Sequence, residues 1–369
     1  MNPGLRRIPL LVPDMPDTDA LLPYLRRIDK ARWYTNFGPL VHEFEAALAA
    51  SLDADKSPGL VSVSNCTGGL ELSLLALGLS AGARVLVPSL TFVASATAVL
   101  RAGCIPVAAD VDPESWLLTP AIAEEARRNR DIAAVMPVAT FGAPQDAAAW
   151  DRFTAETGTP VVIDAAGAFG NQAVGSSNVV VVSMHATKSL GIGEGGFVAA
   201  RDQAFLDEVR RLSNFGIQLP SGIVGRAGTN AKLSEYHAAV GLAALARWRE
   251  RARVRRELSA RYRSSLDLRC SEAKRQHRPD KGIYTIMTVH LPAGVDALRV
   301  MSALEAANIE SRRWYYPLIP EHPGLRRTEV AGDLQCARSL SGRILGLPFH
   351  ADLTSEDIDR VCTVLARAL

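Results

Sequence analysis

The sequence predicts an α/β fold built around a mainly parallel sheet, and three observations support this prediction. Short apolar runs alternate with helical patterns from Leu60 onwards. The runs are apolar at consecutive positions, as is typical of strands covered on both faces. At 369 residues, the chain is also longer than the length that a single hydrophobic core usually supports. We therefore predict a large domain over residues 1–245, and a linker helix with a small C-terminal α+β domain over residues 246–369.

The predicted sheet has seven strands, and helices connect most of them. The strands are expected at 60–63, 84–87, 105–108, 133–138, 161–163, 179–182 and 197–200. The helices are expected at 70–78, 94–102, 120–128 and 147–157. In such sheets, ligands bind where loops leave the carboxyl ends of the strands.

The sequence pattern in the last third of the chain predicts the linker helix and the small domain. One long helix is expected from Ser234 through Arg263, an exposed loop or hairpin at 271–281, and a strand at 284–291. Further helices are expected at 295–308 and 354–369. The long helix carries a cluster of arginines, which we interpret as a solvated face in preference to a polyanion site.

Composition excludes several classes of protein. The chain is 48% hydrophobic and 22% charged, with a formal net charge of +2, so neither nucleic acid nor an acidic membrane surface is an expected partner. Its 5 cysteines form no CxxC pair, which argues against a zinc site or a disulfide framework. We find no signal pattern and no membrane-spanning run, and expect a cytoplasmic protein without a metal site.

The first candidate for chemistry is Lys188, in the stretch SMHATKSLGIGEGG at 183–196. It lies between two predicted buried strands, where an ammonium group is costly. A partly desolvated lysine loses its proton readily and forms Schiff bases. The alternative is an ordinary surface lysine in a loop.

Asp164 is the second candidate, because it ends the apolar run 161–163 and is followed by small residues. Its charge could keep a pyridine nitrogen protonated, which is what pyridoxal phosphate (PLP) chemistry requires. The alternative is an aspartate that caps a helix.

A phosphate site is the third candidate. Thr67 and Gly68 lie in a glycine-rich turn between a strand and a helix, where backbone N–H groups suit a phosphate. The Ser183 hydroxyl could be a second phosphate contact, and Phe92 could cover one face of a bound ring. Such turns are common, and Phe92 could equally be a core residue.

Together and in this order, these features resemble the fold type I PLP enzymes, and specifically the DegT/DnrJ/EryC1/StrS-type sugar aminotransferases. The resemblance extends from about Pro9 to Leu369. Its motifs are TNFGP at 35–39, 65–70, PSLTFVA at 88–94, DAAGAFG at 164–170, the stretch at 183–196, NAKLSE at 230–235 and SRRWYYPL at 311–318.

The resemblance implies a role for each motif residue. Lys188 would hold PLP as a Schiff base and move the substrate proton, and Asp164 would pair with the pyridinium. Thr67, Gly68 and Ser183 would hold the phosphate, Phe92 would stack on the ring, and Asn230 of a neighbouring subunit would complete the site of a homodimer. The segment 312–318 is similar to the branch that aminates dTDP-4-keto-6-deoxy sugars, such as the viosamine synthases. The expected substrate residues are Arg312, Tyr315, Tyr316, Lys232 and Glu194.

Two positions depart from the family pattern. Gly167 stands where the family usually has glutamine or histidine against the second face of PLP, so that face loses a contact. Cys66 stands where a glycine is common, which is tolerable if its backbone angles are ordinary.

The function implied is a PLP-dependent aminotransferase that moves an amino group from L-glutamate to a keto group of a nucleotide-linked sugar. Such a reaction would serve deoxysugar or polysaccharide biosynthesis. Three alternatives remain: a transaminase for a cyclitol or another non-nucleotide ketone, a sugar dehydratase, and a non-catalytic regulator. Family dehydratases replace the lysine by histidine, and a regulator has no need of Lys188 and Asp164 together.

Overall fold

A central sheet of eight strands organises the computed structural model, which describes residues 6–52 and 58–369. The strands of the described chain are β1 (Gly59–Val63), β2 (Arg84–Pro88), β3 (Ile105–Ala109), β4 (Ala134–Val135), β5 (Val162–Asp164), β6 (Val179–Ser183), β7 (Gly196–Ala200), β8 (Met287–His290), β9 (Arg312–Arg313), β10 (Glu329–Val330) and β11 (Ile344–Leu347). The α-helices are α1 (Thr18–Ala31), α2 (Pro39–Leu52), α3 (Cys66–Ala76), α4 (Ala94–Arg101), α5 (Pro120–Arg128), α6 (Ala147–Thr157), α7 (Gln203–Ser213), α8 (Glu235–Ala246), α9 (Trp248–Arg269), α10 (Ala297–Ala306), α11 (Gln335–Ser341) and α12 (Ser355–Ala368).

The spatial order of the central sheet is β1-β7-β6-β5-β4-β2-β3-β10. Parallel bridges from Val135 to Val161 and from Val138 to Asp164 join its two halves. Among the described strands of this sheet, only β7 runs antiparallel to its neighbours, so the prediction of a mainly parallel sheet is confirmed. The buried apolar side chains of this sheet form one cluster on each face, and helices cover both.

Two details of the sheet differ from the sequence prediction. The strand expected at 133–138 is reduced to the two residues of β4, and Pro137, which has no N–H to donate to a ladder, follows two residues later. β10 adds an eighth strand beside β3, and two residues are too few to give a pattern in the sequence.

The C-terminal elements form a second layer. β8, β11 and β9 make a small antiparallel sheet, against which α9, α10 and α12 bury a separate apolar cluster. Thr354 caps α12 with Asp357 in a reciprocal capping box.

The single helix expected from Ser234 to Arg263 is two helices, because the chain bends at Arg247 between α8 and α9. The bend places the ring of Trp248 against Phe169, with 4.6 Å between ring centroids. No helix in the described part of the chain is long and apolar enough to cross a bilayer.

The arginines of α9 do not form one solvated face, so that part of the prediction is wrong. Arg251 and Arg255 are each only 5% exposed, and Arg251 pairs with Asp14 at 2.7 Å. Arg253, in contrast, is exposed and pairs with acidic residues one turn away. Arg251 and Arg255 therefore lie on a packed side of α9, and Arg253 lies on a side that faces solvent.

The segment 271–281 contains no hairpin and is not fully exposed. Gln276 is buried, and its amide donates to the carbonyls of Ser115 and Thr140. The polar composition of this segment gives no sign that Gln276 is buried against the large domain.

Candidate active site

Lys188 lies in the loop that joins β6 to β7. The backbone holds this loop closed, because the Lys188 N–H donates to the carbonyl of His185 at 2.8 Å and the Ala186 N–H donates to that of Gly193 at 2.9 Å. A Cβ on Gly191 would lie 2.5 Å from the Ala186 oxygen, so only glycine allows this close approach. The loop is a rigid support for the lysine.

Lys188 is half-buried, and its amine is partly desolvated by its surroundings. Burial lowers the pKa of Lys188 from its ordinary value, and the nearby Cys66 and Asp164 offset this only in part. A larger fraction of the amine is therefore neutral, which is the form that attacks a carbonyl. The lysine is no ordinary surface residue.

Asp164 ends β5 and is 4% exposed. Its Oδ2 accepts from the Ser95 hydroxyl at 2.7 Å, and its Oδ1 accepts from the Ala166 N–H at 3.1 Å. Burial raises the pKa of this carboxyl, because both partners are neutral and only partly replace the lost water. Residues 165–170 form turns, so Asp164 caps no helix. A buried carboxylate with neutral partners is suited to a cationic ring nitrogen.

The predicted phosphate turn lies beside Ser183. Gly196 pairs with Ser183 across the sheet, and a Cβ on Gly196 would lie 2.8 Å from the Cys66 nitrogen at the start of α3. Ser183 is buried, and Thr67 is in the first turn of the helix. The structure therefore brings the three groups to one place, where the positive end of the α3 dipole favours an anion.

Two details of this turn were not apparent in the sequence. The Gly68 N–H, which we expect to serve a phosphate, donates here to Asn65 Oδ1 at 2.8 Å. Asn65 is thus the N-cap of α3. Cys66 is the first residue of that helix, with ordinary right-handed backbone angles, so a side chain is tolerated at this position.

Phe92 is 53% exposed and is not a core residue. Its ring lies 6.1 Å from that of Tyr315, at an interplanar angle of 49°. Tyr315 in turn stacks on Phe141, with 5.2 Å between centroids and an angle of 9°. Three aromatic rings therefore form one cluster. Burial raises the pKa of the Tyr315 hydroxyl, and the charge of Asp164 adds to this effect.

The other predicted substrate residues lie around this centre. Glu194 is exposed on the Lys188 loop, 3.8 Å from the His185 imidazole. The Lys232 ammonium donates to Asn214 Oδ1 at 2.8 Å and lies over the ring of Phe215. A bridge from Val63 to Lys232 brings this segment beside the phosphate turn.

Asn230 and the arginine segment reach the surface. Asn230 is exposed and bridges to Asn214. Arg312 lines a depression of about 550 Å³ that also includes Arg7 and Glu310, and it lies over the Trp314 ring, so its guanidinium does not join Asp164 within this chain. Tyr316 is 54% exposed beneath the guanidinium of Arg313.

Sequence reasoning missed two residues that shape the site. Ser95, the donor to Asp164, comes directly after the motif 88–94 and could have been found by its place in the first turn of α4. Phe141 has a left-handed backbone (φ 58°), which nothing in its local sequence signals.

These residues fit PLP as a cofactor. The desolvated amine of Lys188 suits the aldehyde, the buried Asp164 suits the ring nitrogen, and the α3 N-terminus with Ser183 suits the phosphate. The exposed ring of Phe92 offers a stacking surface. The four features lie at the carboxyl ends of strands or in the loops that follow them.

Comparison with known proteins identifies the family. The model of the DegT/DnrJ/EryC1/StrS aminotransferase family matches residues 17–366. The chain belongs to this family. It is 28% identical to a dTDP-4-amino-4,6-dideoxy-D-glucose transaminase of Shigella dysenteriae, over 96% of each chain.

Solved structures agree with this assignment. A putative PLP-dependent aminotransferase from Bacillus cereus superposes with a TM-score of 0.90 at 26% identity, covering 98% of this chain and 100% of the other. DesI, solved in the presence of its TDP-sugar product, has a TM-score of 0.87 at 31% identity, covering 98% and 92%. The protein is a PLP-dependent aminotransferase of fold type I, as its motifs predict.

Proposed function

We propose that this aminotransferase moves an amino group from L-glutamate to the keto group of a nucleotide-linked sugar, most specifically a dTDP-4-keto-6-deoxy sugar. The observation that carries the proposal is the presence of both a partly desolvated Lys188 and a buried Asp164 in a chain of this family. The TDP-sugar product of DesI and the dTDP-sugar transaminase of Shigella support the choice of substrate class.

Lys188 is the catalytic base in this proposal. Its Nζ would take the proton from the carbon that bears the amino group of the donor and pass it to the cofactor in the same half-reaction. In the second half-reaction it would move a proton from the cofactor to the carbon that carried the keto group of the acceptor. PLP, when bound, supplies the electron sink for the carbanion that this proton transfer leaves. Asp164 keeps the ring nitrogen protonated, and the Ser95 hydroxyl orients the carboxylate.

The phosphate is held by Thr67, Gly68 and Ser183. Binding of a dianion would require the Gly68 N–H to turn from Asn65 Oδ1 to the phosphate, or to serve both as a bifurcated donor. The Asn230 side chain reaches the phosphate from the partner subunit. Within one chain it is exposed, as such a role requires.

Exposed apolar side chains in segments near Asn230 support a homodimer. We call these side chains the Phe215 surface; they are Trp33, Tyr34, Phe215, Leu219, Ile223, Val224 and Tyr236, each at least 45% exposed. The rings of Tyr34 and Tyr236 stack on each other, with 6.2 Å between their centroids. Apolar surfaces of this kind mark interfaces. A second copy of the chain would bury it and deliver Asn230.

In this proposal, the substrate is bound by Glu194, Lys232, Arg312, Tyr315 and Tyr316. A nucleotide diphosphate requires cations, which Lys232 and Arg312 can supply. Arg312 lies on the outer depression in its own chain, so we expect it to act at the entrance for the nucleotide and not at the reacting carbon. The product would enter deoxysugar or polysaccharide biosynthesis in the cytoplasm.

The proposal is tested by assaying the purified protein with L-glutamate and three classes of acceptor: a dTDP-4-keto-6-deoxy sugar, the corresponding free sugar, and a cyclitol ketone. We expect an aminated product, detected by mass spectrometry, with the nucleotide sugar alone. Turnover of the cyclitol ketone with none of the nucleotide sugar would refute the substrate class. A deoxygenated product without transfer of nitrogen would indicate a dehydratase.

The shared active site is tested by mixing inactive variants. Lys188→Ala and Asn230→Ala destroy different halves of the same site, so a mixed dimer keeps one intact site. Random reassociation of equal amounts should restore about a quarter of the parent activity. No recovery, with exchange of subunits verified by labelled chains, would contradict a site built from two subunits.

A further inference from the structure

A polar cavity lies beside the small antiparallel sheet, between the C-terminal half of α9, the segment 271–281 and β8. Its volume is about 340 Å³, which is within the range of small-molecule sites. It shares no residue with the proposed cofactor and substrate contacts. We call it the α9 cavity; its charged lining residues are Arg263, Asp267, Lys274, Arg275, Arg278 and Asp280, with His277 beside them.

The cations of the α9 cavity outnumber its carboxylates and are only partly neutralised by them. Arg263 pairs with Asp280 at 3.1 Å, and Arg275 pairs with Asp267 at 2.7 Å. The two arginine side chains are 28% and 29% exposed, whereas their acidic partners are 78% and 64% exposed. Ion pairs with such exposed carboxylates contribute little. Each guanidinium therefore keeps N–H groups that can donate to a ligand.

Two further cations of the cavity differ in how they are held. The guanidinium of Arg278 donates to the carbonyls of Phe141 at 3.1 Å and Ile286 at 3.3 Å, so its position is fixed. The Lys274 ammonium, in contrast, forms no hydrogen bond or ion pair within the described residues. An anion among these cations would relieve their mutual repulsion and give the ammonium a partner.

Two buried oxygens of the lining have no partner. Thr288 is 2% exposed and Gln276 is 5% exposed, and neither Thr288 Oγ1 nor Gln276 Oε1 has a hydrogen-bond partner among the described residues. The Gln276 NH₂ donates to the carbonyls of Ser115 and Thr140, which fixes the amide, so its Oε1 can only accept. Buried polar atoms are normally satisfied by protein, water or a ligand. The α9 cavity thus offers one free hydroxyl and one free acceptor in addition to its cations.

We propose that the α9 cavity binds a phosphate-bearing small molecule that also carries an O–H group. The guanidinium groups and the Lys274 ammonium donate to the phosphate oxygens. The Thr288 hydroxyl donates to a further oxygen, and Gln276 Oε1 accepts from the O–H group. This O–H group belongs either to hydrogen phosphate itself or to the sugar of a sugar phosphate. The site is independent of the proposed transfer reaction.

The test is isothermal titration calorimetry of the full-length, PLP-loaded protein at neutral pH, in a buffer without other oxyanions. Bound PLP keeps its own phosphate site occupied. The probes are sodium phosphate, glucose 6-phosphate and sodium sulfate. Phosphate or glucose 6-phosphate should bind about fivefold more tightly than sulfate, because sulfate carries no proton to donate to Gln276. Tighter binding of glucose 6-phosphate than of phosphate identifies a sugar phosphate, and the reverse order identifies free phosphate.

Two variants locate the bound anion. Lys274→Gln should raise the Kd about tenfold, as expected for the loss of a charged donor. Lys281→Gln removes the same charge from an exposed position outside the lining and should stay within about twofold of the parent. Thr288→Val should raise the Kd about fivefold yet keep or raise the Tm, because the hydroxyl that it removes has no partner in the free protein. The PLP absorption band of each variant verifies that the protein is folded and loaded.

Three results would overturn the proposal. The first is the failure of both phosphate and glucose 6-phosphate to bind, and the second is equally tight binding of sulfate. The third is an unchanged Kd in Lys274→Gln and Thr288→Val together with a raised Kd in Lys232→Gln or Arg312→Gln, which would place the anion at the proposed substrate contacts.

Discussion

Replacement of Asp164 by asparagine is a stringent test of the proposed cofactor site. The change removes one charge and keeps the shape of the side chain. The Ala166 N–H can only donate, so the asparagine oxygen must face it and the new NH₂ must face Ser95. The Ser95 hydroxyl can rotate to accept this NH₂ and donate to Thr91 Oγ1, which lies 3.3 Å away. We therefore expect the variant to fold.

The magnitude follows from the charge that is lost. A carboxylate within about 4–6 Å raises the pKa of a cation by about 1–3 units. At about 1.4 kcal/mol per unit, this amounts to about 1.4–4 kcal/mol of preference for the protonated ring. If that preference is realised in the transition state, the rate should fall about 10- to 1,000-fold. PLP should still bind, because the lysine and the phosphate turn remain.

The assay is single-turnover reaction of the PLP-loaded variant with L-glutamate, followed by absorption. Ser95→Ala is the companion variant, since it removes the donor to Asp164 and keeps the charge; we expect a smaller loss of rate. An Asp164→Asn protein that is folded, loaded and as fast as the parent would refute the role of the carboxylate.

Further predictions concern Lys188 and the motif residue Glu235. Lys188→Ala should abolish turnover and leave a folded protein, whereas Lys281→Ala, on the exposed surface, should retain parent activity; turnover in the first variant would contradict the mechanism. Because burial lowers the pKa of Lys188, its neutral fraction rises at lower pH than for a free lysine, so the rate of PLP reconstitution should reach half its maximum below the ordinary lysine pKa. A half-maximum at that ordinary value would show that the amine is not desolvated. Glu235 is 1% exposed and accepts from the N–H groups of Leu40 and Val41 at 2.9 Å each, so Glu235→Ala should lower the free energy of unfolding by about 1–3 kcal/mol in urea titrations, with a smaller loss for Glu235→Gln. A loss of activity with unchanged stability would instead place Glu235 in the site.

The fold and the two central residues of the site could be predicted from the sequence because their signals are local. Buried parallel strands are continuous apolar runs, and ligand groups follow their carboxyl ends, so Asp164 and Lys188 stand out at the ends of such runs. The grouping of Ser183 with the α3 N-terminus is of the same kind. The sequence left open whether Phe92 is exposed or part of the core, and the structure shows it exposed.

The remaining features depend on contacts between distant segments. Tyr315 reaches Phe141 across almost half of the chain, and Arg278 fixes the carbonyl of that phenylalanine from a polar segment that suggests a loop. Glu235 belongs to a motif of the family, yet its carboxylate caps α2. Its two partners there, Leu40 and Val41, lie 195 and 194 residues earlier in the sequence. No periodicity or spacing signals such partners.

The measurement that tests the central claim most directly is the visible absorption spectrum of the purified protein with PLP, before and after addition of L-glutamate. We predict a yellow band from PLP bound to Lys188, absent in Lys188→Ala, that fades into the near ultraviolet as glutamate donates its amino group. A band that does not respond to glutamate would contradict the proposed donor. The absence of any band would contradict the assignment of Lys188 and Asp164 as the cofactor site.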